Sequence, residues 1–458
     1  MRRILIPLGL AQFICSFAGS SMNVMITEIS TDLHTSVAGV QVVITVFLLV
    51  MAALMIPGGA LTERWGRKRC LRAGLMIYAA GALLSAIAPG LGVLILGNSL
   101  LEGVGTALLI PPVYILATLL TPDSGSRARA FGVITGMGGI GAAAGPLIGG
   151  MITEWASWRA VFVFQAVIVA IVIVAGRRIT DPLPAQPSRP FDVVGALLSA
   201  TGLVSVVAGI MVADSSLGAA AGLLIAGTLA LTGCAGYLRV RERAGKPVLL
   251  PSRVFDNRTA NLALVTQNLQ WLLLMGVSFV VATYLQVGRG YDAIGTGLIF
   301  TAATGGVLCA SLAAERLARR HPQRLLIMTG FATTTVGIGL LLLLVRAHPG
   351  AVACTPGLLL FGLGVGTMLT PSVNVVQSAF PESDQGEISG LSRAVSNLGS
   401  ALGTGVAGTL LVAGLADPAR AYPLTLLVLA ALGIAGFATA ALLPGRARPA
   451  AGSLTRDV

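Results

Sequence analysis

The chain has 458 residues, of which 55% are hydrophobic and only 10% charged. A soluble domain carries about 25% charged residues, so an ordinary soluble globule is excluded. The formal net charge of +12 does not point to nucleic acid, because the basic residues lie between long apolar runs.

A bilayer core about 30 Å thick takes ~20 apolar residues per helix. Runs of that length recur from end to end, and strands of period two are absent, which argues against a β-barrel. The pattern predicts an all-α integral membrane protein. Six helices are expected near 4–27, 37–61, 71–88, 91–119, 130–153 and 158–176. Two more fall near 192–213 and 217–238, and six near 259–286, 292–313, 323–345, 352–376, 388–414 and 421–443. The first run is too long for the core of a secretory signal and has no convincing cleavage site.

Lys and Arg are retained on the cytoplasmic side during insertion. With a cytoplasmic N-terminus, 26 of the 30 basic residues fall inside, and only Arg159, Arg289, Arg346 and Arg420 fall outside. The split supports an even span count and two cytoplasmic termini. The linkers 177–191 and 239–258 divide the chain into six, two and six helices. The expected domains are a first bundle over 1–178, linkers with two inserted helices over 179–258, a second bundle over 259–445 and a cytoplasmic tail over 446–458.

The five cysteines (15, 70, 234, 309, 354) show no close pairing and read as small packing residues. No HExxH, Ser-His-Asp set or phosphate loop occurs. No enzyme activity, metal or cofactor is therefore expected.

The two six-helix blocks resemble each other. GGALTERWGRK (58–68) matches ASLAAERLARR (310–320), GVGTAL (103–108) matches GVGTML (364–369), and GAAAGPLIGG (141–150) matches GSALGTGVAG (399–408). A repeat in the same helix order is a transporter signature, with the substrate site near mid-membrane between the repeats.

These residues resemble the major facilitator superfamily, in its fourteen-helix branch of drug:proton antiporters. GALTERWGRKRCL (59–71) is similar to the family's loop 2–3 motif, with Glu63 in place of Asp. GAAAGPLIGG fits the antiporter motif at Gly141, Gly145, Pro146, Gly149 and Gly150. SWRAVFVFQ (157–165), FDVVGALL (191–198) and YLQVGRGYDAIGTGL (284–298) also look like stretches of the branch. The resemblance implies that Gly59, Glu63, Arg64, Gly66, Arg67 and Lys68 form a gating latch between halves. It implies that the antiporter motif serves export and seals against leak. Two departures alter the family's proton-handling set. The helix 4 Arg position is not filled by Arg: the stretch there carries Ser99, Glu102 and Gly103. The helix 1 acid would fall near Ala18 and is missing, although Asn23 keeps the motif's Asn.

Glu102 sits eleven residues into its span, about 16 Å at ~1.5 Å per residue, which is near mid-membrane. Asn98, Glu102 and Thr106 share one helix face. An ionised carboxylate at the bilayer centre costs roughly 2.5–3.5 kcal/mol. Such a group can load and release a proton as a cavity alternates between wet and dry, or it can serve only as a hydrogen-bond donor between helices. The second repeat has Leu359 and Leu363 at the matching positions, so this type of helix folds without the carboxylate.

Gln267, Gln270 and Trp271 in helix 9, with Asn23, Thr106 and Asn374, are the candidate cavity residues. Gln41, Gln165, Gln377 and Asn397 read as isolated amides, and Arg393, at the cytoplasmic start of helix 13, as either an anion contact or a topology-setting charge. The expectation is a multi-pass, monomeric multidrug exporter of the bacterial cytoplasmic (inner) membrane, exchanging amphipathic small molecules for protons. A proton-independent or dedicated metabolite or lipid exporter of the same fold is the alternative, ahead of a non-transporting membrane sensor.

Overall fold

The computed structural model describes residues 2–121, 124–182, 191–213, 216–246, 248, 256–347, 350–380, 385–413 and 418–444. The expected tail 446–458 and parts of both linkers lie outside them. Among the described residues every regular element is helical. The long helices are α1 (Arg2–Ser21), α2 (Val37–Trp65), α3 (Arg67–Ala86), α4 (Leu91–Leu119), α5 (Ser124–Trp155), α6 (Trp158–Gly176), α7 (Val193–Met211) and α8 (Leu217–Arg243). They continue as α9 (Arg258–Gly288), α10 (Ala293–Arg320), α11 (Gln323–Ala347), α12 (Cys354–Ser378), α13 (Gln385–Ala413) and α14 (Pro418–Ala441). A short helix, Ile26–Asp32, prolongs α1.

Local chemistry sets the ends. Ser36, Ser157, Asp192, Ser216, Asn257 and Asp292 each accept a hydrogen bond from a first-turn amide of the helix that follows, satisfying a donor that has no partner inside the helix. Between α2 and α3 the chain reverses at Gly66, whose φ of 93° lies in the region that a side chain disfavours. The helix resumes at once, so Arg67–Arg72 are helical rather than the loop expected before residue 71.

Among the described residues, eleven of these helices are long and apolar enough to cross a membrane, against fourteen expected spans. The three others are α3, α5 and α13. The first turns of α3 carry Arg67, Lys68, Arg69 and Arg72. In α5 and α13 Gly, Ala, Ser and Thr displace large apolar residues, and these same two helices carry the contacts between the bundles.

Within the first six helices, α1 packs on α5 and α6, α4 on α2 and α3, and α3 on α6. The last six repeat each pairing: α9 packs on α13 and α14, α12 on α10 and α11, and α11 on α14. Two seams join these halves, α2 against α13 and α5 against α10. The seams are related by the same repeat, because α2 corresponds to α10 and α5 to α13. Helices α7 and α8 form a pair, and α7 lies along the α2–α13 seam, where Thr409 donates to the Ile210 carbonyl at 3.3 Å.

Small residues let the backbones meet at the α5–α10 seam. A Cβ on Gly150 would strike the Ala293 carbonyl, and one on Gly297 would sit 2.6 Å from the Pro146 carbonyl. Gly150→Val is therefore expected to hold this end of the seam apart. Electron–electron distances between spin labels on α5 and α10 should lengthen by a few ångström relative to wild type. An unchanged distance distribution would show that the seam does not depend on that contact.

Candidate functional site

A cavity lies between the halves. Its first-half wall includes Gln12, Cys15, Phe47, Met51 and Ala142; its second-half wall includes Trp271, Met275, Arg393 and Asn397. Arg393 is the one charged residue among the described lining residues. It stands eight residues inside α13, which begins at Gln385, and not at a helix end as the sequence reading placed it. Its guanidinium carbon lies 5.0 Å from the Tyr114 ring centroid, and Nη2 donates to the Tyr114 hydroxyl. Tyr114 in turn donates to Gln12 Oε1 at 3.3 Å, and Gln12 Nε2 to Ser16 at 3.2 Å. This chain of polar groups crosses from α13 to α1 through α4.

Glu102 lies behind the cavity wall and is fully buried. It ends an eight-residue π-helical segment, Ile95–Glu102. Segments with this looser turn collect at functional sites. The matching part of α12 is regular α-helix, so neither the carboxyl nor the irregular turn recurs at that place, although the second half has a shorter π-helical segment, Tyr284–Gly288, at the end of α9. The segment packs on α3 at backbone distance: a Cβ on Gly81 would meet the Glu102 amide at 2.8 Å. Asn98 Nδ2 donates to Glu102 Oε2 at 3.3 Å. Tyr78 of α3 stands beside the carboxyl and donates its hydroxyl to Gln165 Oε1 at 2.5 Å. Glu102 Oε1, Asn98 Oδ1 and Gln165 Nε2 are buried without a protein partner. Thr106, one turn on, is buried with its hydroxyl unpaired, and Ile110, a further turn along the same helix, lines the cavity. The polar stripe Asn98–Glu102–Thr106 thus connects the interior of the first half to the cavity. Tyr78 was not singled out in the sequence, and Gln165 read as an isolated amide; they meet only through the α3–α6 packing.

The other expected cavity residues are distributed differently. Trp271 lines the cavity. Gln267 turns into the second half, donating to Ser392 at 2.8 Å and Ser396 at 2.9 Å and accepting from Ser392 at 3.0 Å. Gln270 accepts from Ser372 at 2.8 Å. Asn374 sits half-buried in α12, with its carbonyl accepting from Ser378 at 2.7 Å. Such bonds between helices are worth about 0.6 kcal/mol each; they hold α9 to α12 and α13.

The antiporter motif presents two faces. Gly141, Gly145 and Gly149 meet Phe13, Ser20 and Ser21 of α1, whereas Pro146 and Gly150 meet Gly297 and Ala293 of α10. The close contacts between halves gather at the end of the molecule that carries the α1–α2 turn. There Gln286 Nε2 donates to the Asn23 carbonyl at 2.7 Å, and the Thr27 amide donates to Gln286 Oε1 at 3.1 Å. Asn23 therefore closes this end and does not line the cavity. On the α2–α13 seam, Gln41 Nε2 donates to the Gly405 carbonyl at 3.3 Å.

At the opposite end, the Arg67 and Lys68 amides donate to Asp181 Oδ2 at 2.7 and 3.4 Å, and the Arg67 guanidinium approaches Oδ1 at 4.0 Å. Asp181 follows α6 and complements the positive N-terminus of α3. Lys68 Nζ donates to the Arg177 carbonyl at 3.1 Å. These contacts tie α3 to α6 within the first half. Gly59 packs near Pro111 and Arg64 is half-buried; the Glu63 side chain lies outside the described residues.

Two carboxyls outside the spans are perturbed in opposite senses. Asp32 accepts from Arg159 and from Trp158, and the Arg159 bond holds its pKa below the ordinary value. Burial pushes Glu28 above its ordinary value, and the like charges of Glu154 and Asp292 add to the rise. The sign of the Glu28 shift follows from linkage. The closed seam favours its protonated form, so this contribution is complete below the ordinary carboxylate pKa and is lost as pH rises through the raised value. The closed population at this end should fall as pH rises, read by labels across the seam, and Glu28→Gln should flatten that response. A variant with the wild-type pH response would assign it elsewhere.

The sequence profile of the Major Facilitator Superfamily matches residues 8–404. The chain is 29% identical over 405 residues to the puromycin resistance protein pur8 of Streptomyces alboniger, covering 87% of this chain and 80% of that one. It is 26% identical over 411 residues to the multidrug resistance protein Stp of Mycobacterium tuberculosis, covering 90% and 76%. It is 28% identical over 385 residues to the multidrug efflux pump LfrA of Mycolicibacterium smegmatis, covering 84% and 76%. A solved peptide transporter, POT, in complex with sulfate shares the fold with a TM-score of 0.68 at 18% identity, covering 98% of this chain and 96% of that one. With its repeated helix pairings, its cavity between the halves and this match over most of its length, the chain belongs to the Major Facilitator Superfamily of membrane transporters.

Proposed function

We propose that this chain is a fourteen-span secondary transporter that exports amphipathic small molecules in exchange for protons. Its place is the bacterial cytoplasmic membrane, with both termini inside. Three further helices complete the span count: α3, α5 and α13 stand outside the eleven, and each packs between qualifying helices. The lopsided distribution of Lys and Arg orients the chain and makes the closed α1–α2 end the outer one. Export of drugs is supported by relatives named for drug resistance and efflux.

The observation that carries the coupling is the position of Glu102. It is buried two helical turns from Ile110, which lines the cavity, with Thr106 between them on the same helix. No Lys or Arg pairs with it among the described residues. When the halves rock, the cavity changes its exposure to one side or the other. Glu102 takes a proton while the cavity is open to the outside and gives it up to the inside, where cargo replaces it. The seal at the outer end is made by Pro146 and Gly150 against α10, which prevents protons from crossing without cargo.

The test is transport in proteoliposomes under an imposed pH gradient, with a panel of dyes and drugs. Glu102→Gln should lower gradient-driven transport by at least about tenfold, as expected when a group that must ionise becomes an amide. Cargo should still exchange down its own gradient. Full gradient-driven transport in the variant would favour the proton-independent exporter. Pro146→Ala should raise the passive proton leak; an unchanged leak would remove the sealing role.

A further inference from the structure

We propose that the central cavity selects amphipathic organic anions: a carboxylate or phenolate of the cargo lies against Arg393 and Asn397, and its apolar body packs on Trp271 and the methionines. The inference rests on the export reading above and names its cargo class.

The walls supply one charge, and it is positive. No acidic side chain lies among the described lining residues, and Glu102 is buried outside that lining. Among the described residues, Arg393 makes its hydrogen bond with a neutral partner, the Tyr114 hydroxyl. A guanidinium carries five N–H donors in a fork that matches a carboxylate. Asn397, four residues on along the same face of α13, also lines the cavity, and its Nδ2 is buried without an acceptor. A donor amide and a guanidinium side by side, with no carboxylate facing them, complement an anion and repel a cation. Ser396 and Ser400 add hydroxyls to this wall. Met51 and Met55 of the first half and Met275 of the second give an adaptable apolar surface.

Depth argues against a merely topology-setting charge. Such a residue is kept at the helix end, where water reaches it, whereas Arg393 is eight residues in from Gln385. Its partner Tyr114 belongs to α4 of the first half. A bound anion therefore draws on the same guanidinium that links the two halves, so cargo of this charge also loosens that link.

The test uses the full-length protein in nanodiscs and proteoliposomes with three dyes sharing one ring skeleton: an anionic carboxylate, its neutral ester and a cationic amine analogue. Wild-type protein should bind the carboxylate at least about tenfold more tightly than the cation. Arg393→Gln should bring that ratio close to one, and Arg393→Lys should keep part of it. Equal or tighter binding of the cation by wild type, or an unchanged ratio in Arg393→Gln, would overturn the proposal. Should Arg393→Gln fail to fold, the wild-type ratio and Arg393→Lys decide. The export reading is judged separately: proton-driven movement of any of the three dyes by wild type sustains it, and movement of none removes it while the binding ratio still decides the charge preference.

Discussion

The architecture depends on how closely the two halves approach at one end of the molecule. Helices in lipid gain no hydrophobic energy from meeting each other, so contact needs small residues and satisfied polar groups. Both are supplied at the α1–α2 end. Gly150 and Gly297 bring α5 and α10 into backbone contact, Gln286 bonds Asn23 and Thr27, and Gln41 bonds the Gly405 carbonyl. Small residues are accordingly concentrated in α5 and α13. Their composition records the fact that they face protein more than lipid.

Against that symmetric frame, the chemistry is concentrated in one repeat. The first half alone carries Glu102, the π segment before it and Pro146; the second half has Leu363, a regular α12 and Thr404 at the matching places. The second half contributes the cavity's charge instead, through Arg393. The two ionisable groups belong to opposite halves, Arg393 on the cavity wall and Glu102 behind it. In the proposed cycle, rocking the halves moves Glu102 relative to Arg393.

Much of this was legible in the sequence. Hydropathy marked the helices because burial in lipid demands long apolar runs, and the paired motifs marked the repeat because each half solves the same packing problem. Glu102 stood out because a carboxyl in such a run is costly. Three features were not legible. The π segment has no residue signature, since it reflects how α4 meets Gly81 and Ser85 of α3. Tyr78 and Gln165 lie 87 positions apart and meet only in the folded bundle. Arg393 read as a helix-end charge because the polar stretch before it resembles a loop, whereas α13 already begins at Gln385. Gln267 and Gln270 looked like cavity amides but serve packing inside the second half.

The central claim is that one buried acid in α4 changes its protonation as the protein works. Infrared difference spectroscopy on purified protein with isotope-labelled glutamate addresses it directly. Between about pH 5 and about pH 9, a window that spans shifted carboxyls, a protonated-carboxyl band should appear and vanish. It should respond to cargo and be missing in Glu102→Gln. A spectrum in which that band never changes, with or without cargo, would contradict the account.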